Sequence, residues 1–409
     1  MKRVVVTGMG AVSPIGNNVK TMWENMLLGK NGIAEITYFS TEEFKVKLAA
    51  EVKDFDASNV LDASEIKRYD RFIQFALVAA AEAMQDSGVQ GTMAKERLGV
   101  YLGSGIGGID TMYNETIKML EKGPRRVSPF LVPMMISNMA AGLVAIRFEA
   151  EGPNLPVVTA CATATHALGE AFRAIRHGYA DAIIAGGTEA AINELSIAGF
   201  TSCMALSKSE DPLRASIPFD LERDGFVMGE GAGVLILEEY EHALNREAHI
   251  YAELVGYGNT CDAYHMTAPH PEAIGGTRAI KGAMAEGNCE NFKKMYINAH
   301  GTSTPMNDKG ETMAIKAALG QRAYTDVLLS STKSMTGHML GAAGGVEAIA
   351  AVMALKTGEL PPTIGYKIAD PECDLDCIAN IARSSAVDVS LSLSLGFGGH
   401  NACIAFRKL

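Results

Sequence analysis

The sequence predicts an α/β protein with a duplicated core, and three observations predict it. Helix-period and strand-period patterns alternate almost throughout the 409 residues, as in folds that bury parallel strands between helices. Apolar strand-like runs end repeatedly in glycine-rich or polar loops, where a helix or a returning strand begins. The order of elements in residues 1–250 is echoed in residues 251–409, although side-chain identity between the halves is low.

Arg3–Thr7 reads as a strand. The following Gly8-Met9-Gly10-Ala11-Val12-Ser13 has a partial dinucleotide-loop spacing, but Ser13 stands at the third glycine position. No acidic residue is well placed after a second strand, so a tight turn is the better reading. Asp62–Gly88 reads as one helix with Tyr69, Phe72, Ile73, Ala76, Leu77, Ala80 and Met84 on its apolar face and Gly88 at its end. Leu98–Leu102 is a strand entering the loop Gly103–Gly108. Leu155–Thr159 reads as a buried strand that stops at Ala160-Cys161, where a helix begins with Ala164, Ala167, Leu168, Ala171, Phe172 and Ile175 on one face. Ala180–Gly186 and Gly233–Leu237 are strands, with the glycine loop Gly225–Gly231 between them.

In the second half a strand ends at Ala299, and another spans Asp326–Ser330. The helix near Leu340–Lys356 is small and apolar almost all round, the mark of a helix buried on every side. A run at Ser390–Leu395, the loop Gly396-Phe397-Gly398-Gly399 and a strand Ala402–Arg407 close the chain. The seam lies near residue 250.

Composition narrows the class. Hydrophobic residues make up 48% and charged residues 20%, which suits a globular protein with a large core. A net charge of −11 repels nucleic acid and anionic membranes. The basic start Met1-Lys2-Arg3 precedes too short an apolar run for a signal sequence. No uninterrupted apolar run reaches the roughly 18 residues of a membrane span. The seven cysteines are odd in number and scattered, with no Cys-x-x-Cys pair, which points to reduced thiols in a cytoplasmic protein and to no structural metal site.

Four strand ends carry the chemistry. Cys161 stands where a helix begins, so unpaired N–H groups and the positive end of the helix dipole would lower its pKa and favour thiolate. His300 follows a strand, at the edge where open α/β sheets bind ligands, with the hydroxyls Thr302, Ser303 and Thr304 behind it. Lys333 and His338 follow the next strand. The buried helix beyond carries the lone carboxylate Glu347, which needs a cation, and Lys333 is the nearest candidate. In Gly396-Phe397-Gly398 a phenylalanine between glycines is free to swing.

On these residues the chain resembles the β-ketoacyl-acyl-carrier-protein synthases of the thiolase superfamily, and most the type II elongating enzymes. The match runs from VVVTGMGAVSPIG through FDLERDGFVMGEGAG, YAELVGYGNTCDAYHMT and STKSMTGHMLGAAG to GFGGHNACIAF. The resemblance implies a five-layered αβαβα fold of two duplicated halves, assembled as a homodimer. It implies that Cys161 is the nucleophile, with His300 and His338 facing the malonyl thioester, Lys333 paired with Glu347, and Asp308 and Glu311 in support. It puts the oxyanion hole at the N–H groups of Cys161 and Phe397, with Phe397 the gate. Thr302 and Thr304 would meet the phosphopantetheine arm, and Ile106, Phe200 and Phe397 would line the acyl pocket. Lys67, Arg68, Arg125 and Arg126 would dock an acidic acyl carrier protein, and Arg71 clusters near them. The reaction implied is decarboxylative condensation, extending an acyl chain by two carbons. It requires no metal or organic cofactor of the protein's own, because phosphopantetheine arrives on the carrier.

The chain departs from the family pattern at Ala164, where glycine or serine is usual, at Met204 and Ile217, where arginine is frequent, and at Leu393, where asparagine is usual. Two other readings share the fold. A degradative thiolase wants a second cysteine in the last glycine loop, and GFGGHN has none. A chain-length-factor-like partner subunit lacks the nucleophile that Cys161 supplies.

Overall fold

Every residue of the first strand, Val4–Val12 (β1), is buried. Most of the segment expected to turn at Gly8–Ser13 is thus the second half of a strand. The cause lies in the helix that crosses it. A Cβ at Gly8 or Gly10 would collide with the carbonyls of Ala83 and Ala79, so the two glycines let a helix lie directly on the strand. The computed structural model describes residues 1–409.

The stretch expected as one helix over Asp62–Gly88 is two, Ala63–Arg68 (α1) and Arg71–Ser87 (α2). Asp62 caps the first in a capping box with Glu65, and Asp70 caps the second by accepting from the Phe72 N–H. Tyr69 between them is extended. A second aspartate N-cap restarts the chain as a helix in a new direction. Phe72, Ile73, Ala76, Leu77, Ala80 and Met84 are buried as the pattern requires, and Gly88 ends the helix in the left-handed region.

Leu98–Gly103 (β2) is followed by the helices Ile109–Lys122 (α3) and Met139–Phe148 (α4). The expected buried strand Leu155–Thr159 shrinks to Asn154–Leu155 (β3), and it is not buried. Leu155 is 44% exposed and Val158 52%. Pro153 and Pro156 flank the pair and cannot donate to a ladder, and β3 is the outermost strand of the sheet. Thr163–Arg176 (α5), Ala182–Glu189 (β4), Glu194–Ser202 (α6) and Gly231–Glu239 (β5) complete the first half.

The second half holds Ala252–Cys261 (β6), Ile274–Gly287 (α7), Met295–Asn298 (β7), Pro305–Leu319 (α8), Val327–Ser330 (β8), Ala343–Thr357 (α9), Val389–Gly396 (β9) and His400–Arg407 (β10). The ten strands run in the order β8-β7-β9-β10-β6-β1-β5-β4-β2-β3. Read outward from the central β1–β6 pair, the halves match in order and direction. In each, the first two pairings are antiparallel and the last two parallel. The sheet is therefore mixed, where buried parallel strands were expected. The Gly396–Gly399 connection forces β9 and β10 antiparallel because it is too short for a crossover.

α2 and α4 cover one outer face, α7 and α8 the other, and α5 and α9 pack against strands of both halves. This gives the layers αβαβα. The span Leu340–Thr357 is apolar enough by composition to cross a membrane, although Glu347 and Lys356 interrupt its apolar run. It is 83% buried at the centre of the fold, where α9 carries Glu347.

Candidate active site

Cys161 sits in a tight turn, Ala160–Ala162, that leads into α5. Around it is a cavity of about 400 Å³ whose wall also includes His300, His338, Thr302, Thr304, Phe200 and Phe397. Residues more than 230 positions apart thus meet in one chamber, because α5 and the strand ends of the second half converge at the middle layer.

The two histidines stand ring to ring, centroids 5.3 Å apart and nearly perpendicular. Glu311, on α8, accepts the His300 and Gly301 N–H groups at 2.6 and 2.7 Å and so pins the backbone under His300. His338 is held by its own backbone, donating to the Val227 carbonyl at 2.7 Å, while Phe226 packs edge-on against its ring at 5.1 Å. Phe200 stacks behind Phe226 at 5.6 Å. Phe226 was not singled out in the sequence. Its signal was present in the glycine loop GFVMGEG, where a large apolar residue between glycines has to face something.

Burial, then the charge of Lys333, holds both imidazoles well below their ordinary pKa, so both are neutral at pH 7. Lys333 Nζ lies 3.4 Å from His300 Nδ1. An ammonium only donates, so Nδ1 accepts and the proton of His300 is on Nε2. His338 Nδ1 is buried with no protein partner. Lys333 is ion-paired with Glu347, both 1% exposed, which is the pairing the lone carboxylate required.

The expected thiolate is not the resting form of Cys161. Burial pushes its thiol up to about 12, against the opposing charge of Lys333 and a hydrogen bond from the Phe397 N–H. Desolvation disfavours the anion more than the helix terminus favours it.

Thr302 and Thr304 share a hydroxyl–hydroxyl hydrogen bond of 2.9 Å on the cavity wall. Phe397 is half-buried beside Cys161. Asp308 lies further back, accepting from the Phe219 N–H at 2.9 Å with Arg223 3.5 Å away, and braces the loop below the threonines. Ile106 does not line this cavity. It is 38% exposed on the loop after β2, where its N–H donates to Glu189.

Lys67, Arg68, Arg125 and Arg126 are all exposed. Arg68 lies 5.0 Å over the ring of Phe130, which brings α1 beside the Pro124–Arg126 turn. Arg71 leaves that cluster, since it is half-buried in an ion pair with Glu230.

The four departures fall into place differently. Ala164 is fully buried facing Gly187, which has no side chain to contest the space, so alanine fits. Met204 is 81% exposed at the cavity mouth. Ile217 is buried against Gly365. Leu393 is buried in the apolar cluster of the second half, opposite Cys403.

Comparison with known proteins follows the same division of the chain. Residues 1–243 match the family described as beta-ketoacyl synthase, N-terminal domain, and residues 251–367 the beta-ketoacyl synthase, C-terminal domain. The chain is 54% identical over 409 residues to a 3-oxoacyl-[acyl-carrier-protein] synthase 2 of Synechocystis sp., covering 100% of this chain and 98% of that one. It is 52% identical over 408 residues to the protein of the same name from Staphylococcus aureus, with the same coverage. Among solved structures, a beta-ketoacyl synthase from Burkholderia phymatum superposes with a TM-score of 0.92 at 32% identity, covering 100% of both chains. A type II polyketide ketosynthase, solved in complex with its acyl carrier protein and bound to a hexaketide, gives a TM-score of 0.92 at 37% identity, covering 100% of this chain and 99% of that one.

Proposed function

The chain belongs to the β-ketoacyl synthase family, and from that premise we propose that it is a condensing enzyme of fatty-acid elongation, joining an acyl chain held on Cys161 to malonyl-acyl-carrier-protein. The observation that carries this reading is the meeting of one half-buried thiol with two neutral imidazoles in a single chamber.

In the first step Cys161 sulfur bonds to the acyl carbonyl carbon, and the carbonyl oxygen takes up charge between the N–H groups of Cys161 and Phe397. The C–S bond to the carrier's pantetheine breaks, and the proton lost by the thiol leaves with that sulfur. In the second step the malonyl C–C bond breaks, carbon dioxide departs, and the electron pair moves into an enolate. Its oxygen lies against imidazole N–H donors. Neutral imidazole suits this task, because Nε2–H on His300 donates without holding a charge that would have to be neutralised. The enolate carbon then attacks the acyl-cysteine, the C–S bond to Cys161 breaks, and the sulfur regains a proton. The product is two carbons longer.

Thr302 and Thr304 bind the amides of the pantetheine arm, Phe397 opens and closes over the cysteine, and Phe200 bounds the acyl chain. Lys67, Arg68, Arg125 and Arg126 dock the acidic carrier, a local positive patch on a chain of net charge −11. The chemistry proposed uses no metal or organic cofactor of the enzyme's own. The chain works as a cytoplasmic homodimer. Support for the dimer is the unpaired edge strand β3, where Leu155 is 44% exposed and Val158, just after it, 52%.

Mass spectrometry tests the reading. Incubation with acyl-carrier is expected to add the acyl mass at Cys161, and malonyl-carrier to discharge it as a 3-oxoacyl product. Cys161→Ala, folded but unable to accept the acyl group, is the control. Elongation by that variant at the wild-type rate overturns the proposal.

A further inference from the structure

The nucleophile turn is built twice. Ala160 and Leu340 both take the left-handed conformation, with φ of 49° and 46°. Each opens a three-residue turn, Ala160–Ala162 and Leu340–Ala342, that runs into α5 or α9. Cys161 and Gly341 therefore hold matching places in the two halves. The strands β4 and β9 also match, and each ends beside the turn of the opposite half, at Glu189 and Gly396.

What fills the two places differs. At Cys161, the strand end is the bare Gly396, where an added Cβ would come to 3.3 Å from the Cys161 nitrogen, and space remains for substrate. At Gly341, the strand end is a carboxylate. Glu189, fully buried, accepts the Gly341 N–H at 3.0 Å, the Gly105 N–H at 2.8 Å, the Ile106 N–H at 3.2 Å and the Ser104 hydroxyl at 2.7 Å. Burial raises its pKa, and the four hydrogen bonds that converge on it oppose that rise; with no acceptor awaiting a carboxyl proton, the arrangement suits the anion. Glycine is required at both contact points. A Cβ at Gly105 would stand 2.7 Å, and one at Gly341 2.8 Å, from the Glu189 oxygen.

We infer that Glu189 is a positioning residue, a built-in anion that fills the second, unreactive copy of the oxyanion site and thereby fixes the nucleophile turn relative to the segment His338–Gly341. Its reach supports this. Gly105 backs onto the nucleophile turn, 3.5 Å from the Ala160 carbonyl as measured from an added Cβ. Gly341 lies three residues beyond His338. The clamp thus joins the seat of the acyl group to the seat of the malonyl group. The inference rests on the condensing-enzyme reading.

Each half-reaction uses one seat, whereas condensation needs the enolate carbon to meet the acyl carbonyl, and a misplacement of an ångström costs about a hundredfold. Glu189→Ala is therefore expected to keep near wild-type acyl transfer to Cys161 and near wild-type malonyl decarboxylation, each measured alone, while condensation falls roughly ten- to a hundredfold. Sodium formate, a carboxylate small enough for the vacated place, is expected to restore condensation in Glu189→Ala. Glu189→Gln, whose amide fills the place but turns donors toward donors, should lose condensation and gain nothing from formate. Ser104→Ala, which removes one donor and keeps the carboxylate, covers the event that Glu189→Ala does not fold, and should show a smaller loss of condensation alone. Equal losses in all three rates with no response to formate, or no loss at all, overturn the inference. A wild-type protein that fails to take up an acyl group removes the functional reading instead.

Discussion

Glu347→Gln tests the buried ion pair on which the histidine geometry depends. Lys333 and Glu347 are each 1% exposed, and Lys333 also faces His300 Nδ1 at 3.4 Å. Glutamine keeps the shape of the carboxylate and removes its charge. An ammonium left there uncompensated costs about 3–5 kcal/mol. The alternative is for the lysine to shed its proton on folding. From an ordinary value near 10.4, that costs about 4 kcal/mol at pH 7.4 and about 2 kcal/mol at pH 9. The sign follows from proton counting. The unfolded variant would hold one proton more than the folded variant, so its stability rises with pH by about 1.4 kcal/mol per unit up to the ordinary lysine range. Urea unfolding of wild type and variant at the two pH values measures both quantities. The functional consequence is parallel. A neutral amine no longer fixes His300 with its proton on Nε2, and malonyl decarboxylation falls. A stability deficit under about 1 kcal/mol near pH 7.4, or one that does not shrink at higher pH, refutes the reasoning.

Charge reversal at Lys67, Arg68, Arg125 and Arg126 together is expected to raise KM for acyl-carrier while leaving KM for a small acyl thioester unchanged, with the carrier effect fading as salt rises. Equal changes for both substrates would remove the docking patch. Leu393→Asn puts an amide into an apolar cluster, so it is expected to lower stability by about 1–3 kcal/mol and leave acylation kinetics as they are; faster acylation would show instead that this position acts on the gate. Burial raises Glu311 to about 8, so the folded chain binds its proton more tightly than the unfolded chain does. That contribution to stability is complete below about pH 4.5 and is lost as pH rises to about 8. Glu311→Gln should flatten the fall in unfolding free energy across that window, and an unchanged slope would show that Glu311 does not titrate there.

Much of the candidate site was legible because its signals are local. Cys161 precedes a helix, His300 and His338 follow strands, and Glu347 is a lone carboxylate in a helix too apolar to face water. Each is an anomaly against a simple background, and anomalies survive without coordinates. The pairing of Glu347 with Lys333 could be anticipated for the same reason, since a buried charge needs an opposite one. What was misread shared a different cause. Gly8 and Gly10 looked like a turn because glycine serves both a turn and a close helix–strand contact, and only the crossing of α2 distinguishes them. The break at Tyr69-Asp70 kept the apolar period across it, so the pattern ran on where the chain did not.

By itself, then, the sequence determined the alternation of elements, the doubling of the core, the residues that meet in the candidate site and the small apolar helix that must lie at the centre. These follow from periodicity and from the cost of burying charge, both properties of short stretches of chain. Tertiary structure alone decided the rest. It set the protonation of Cys161, because a pKa depends on how much water and which charges surround the sulfur, and burial outweighed the helix terminus. It took Ile106 away from the cavity wall and Arg71 out of the basic cluster, because both depend on which distant partner the fold brings beside them. And it placed the carboxylate of Glu189 under the second copy of the nucleophile turn, a contact between residues 152 positions apart that no local pattern encodes.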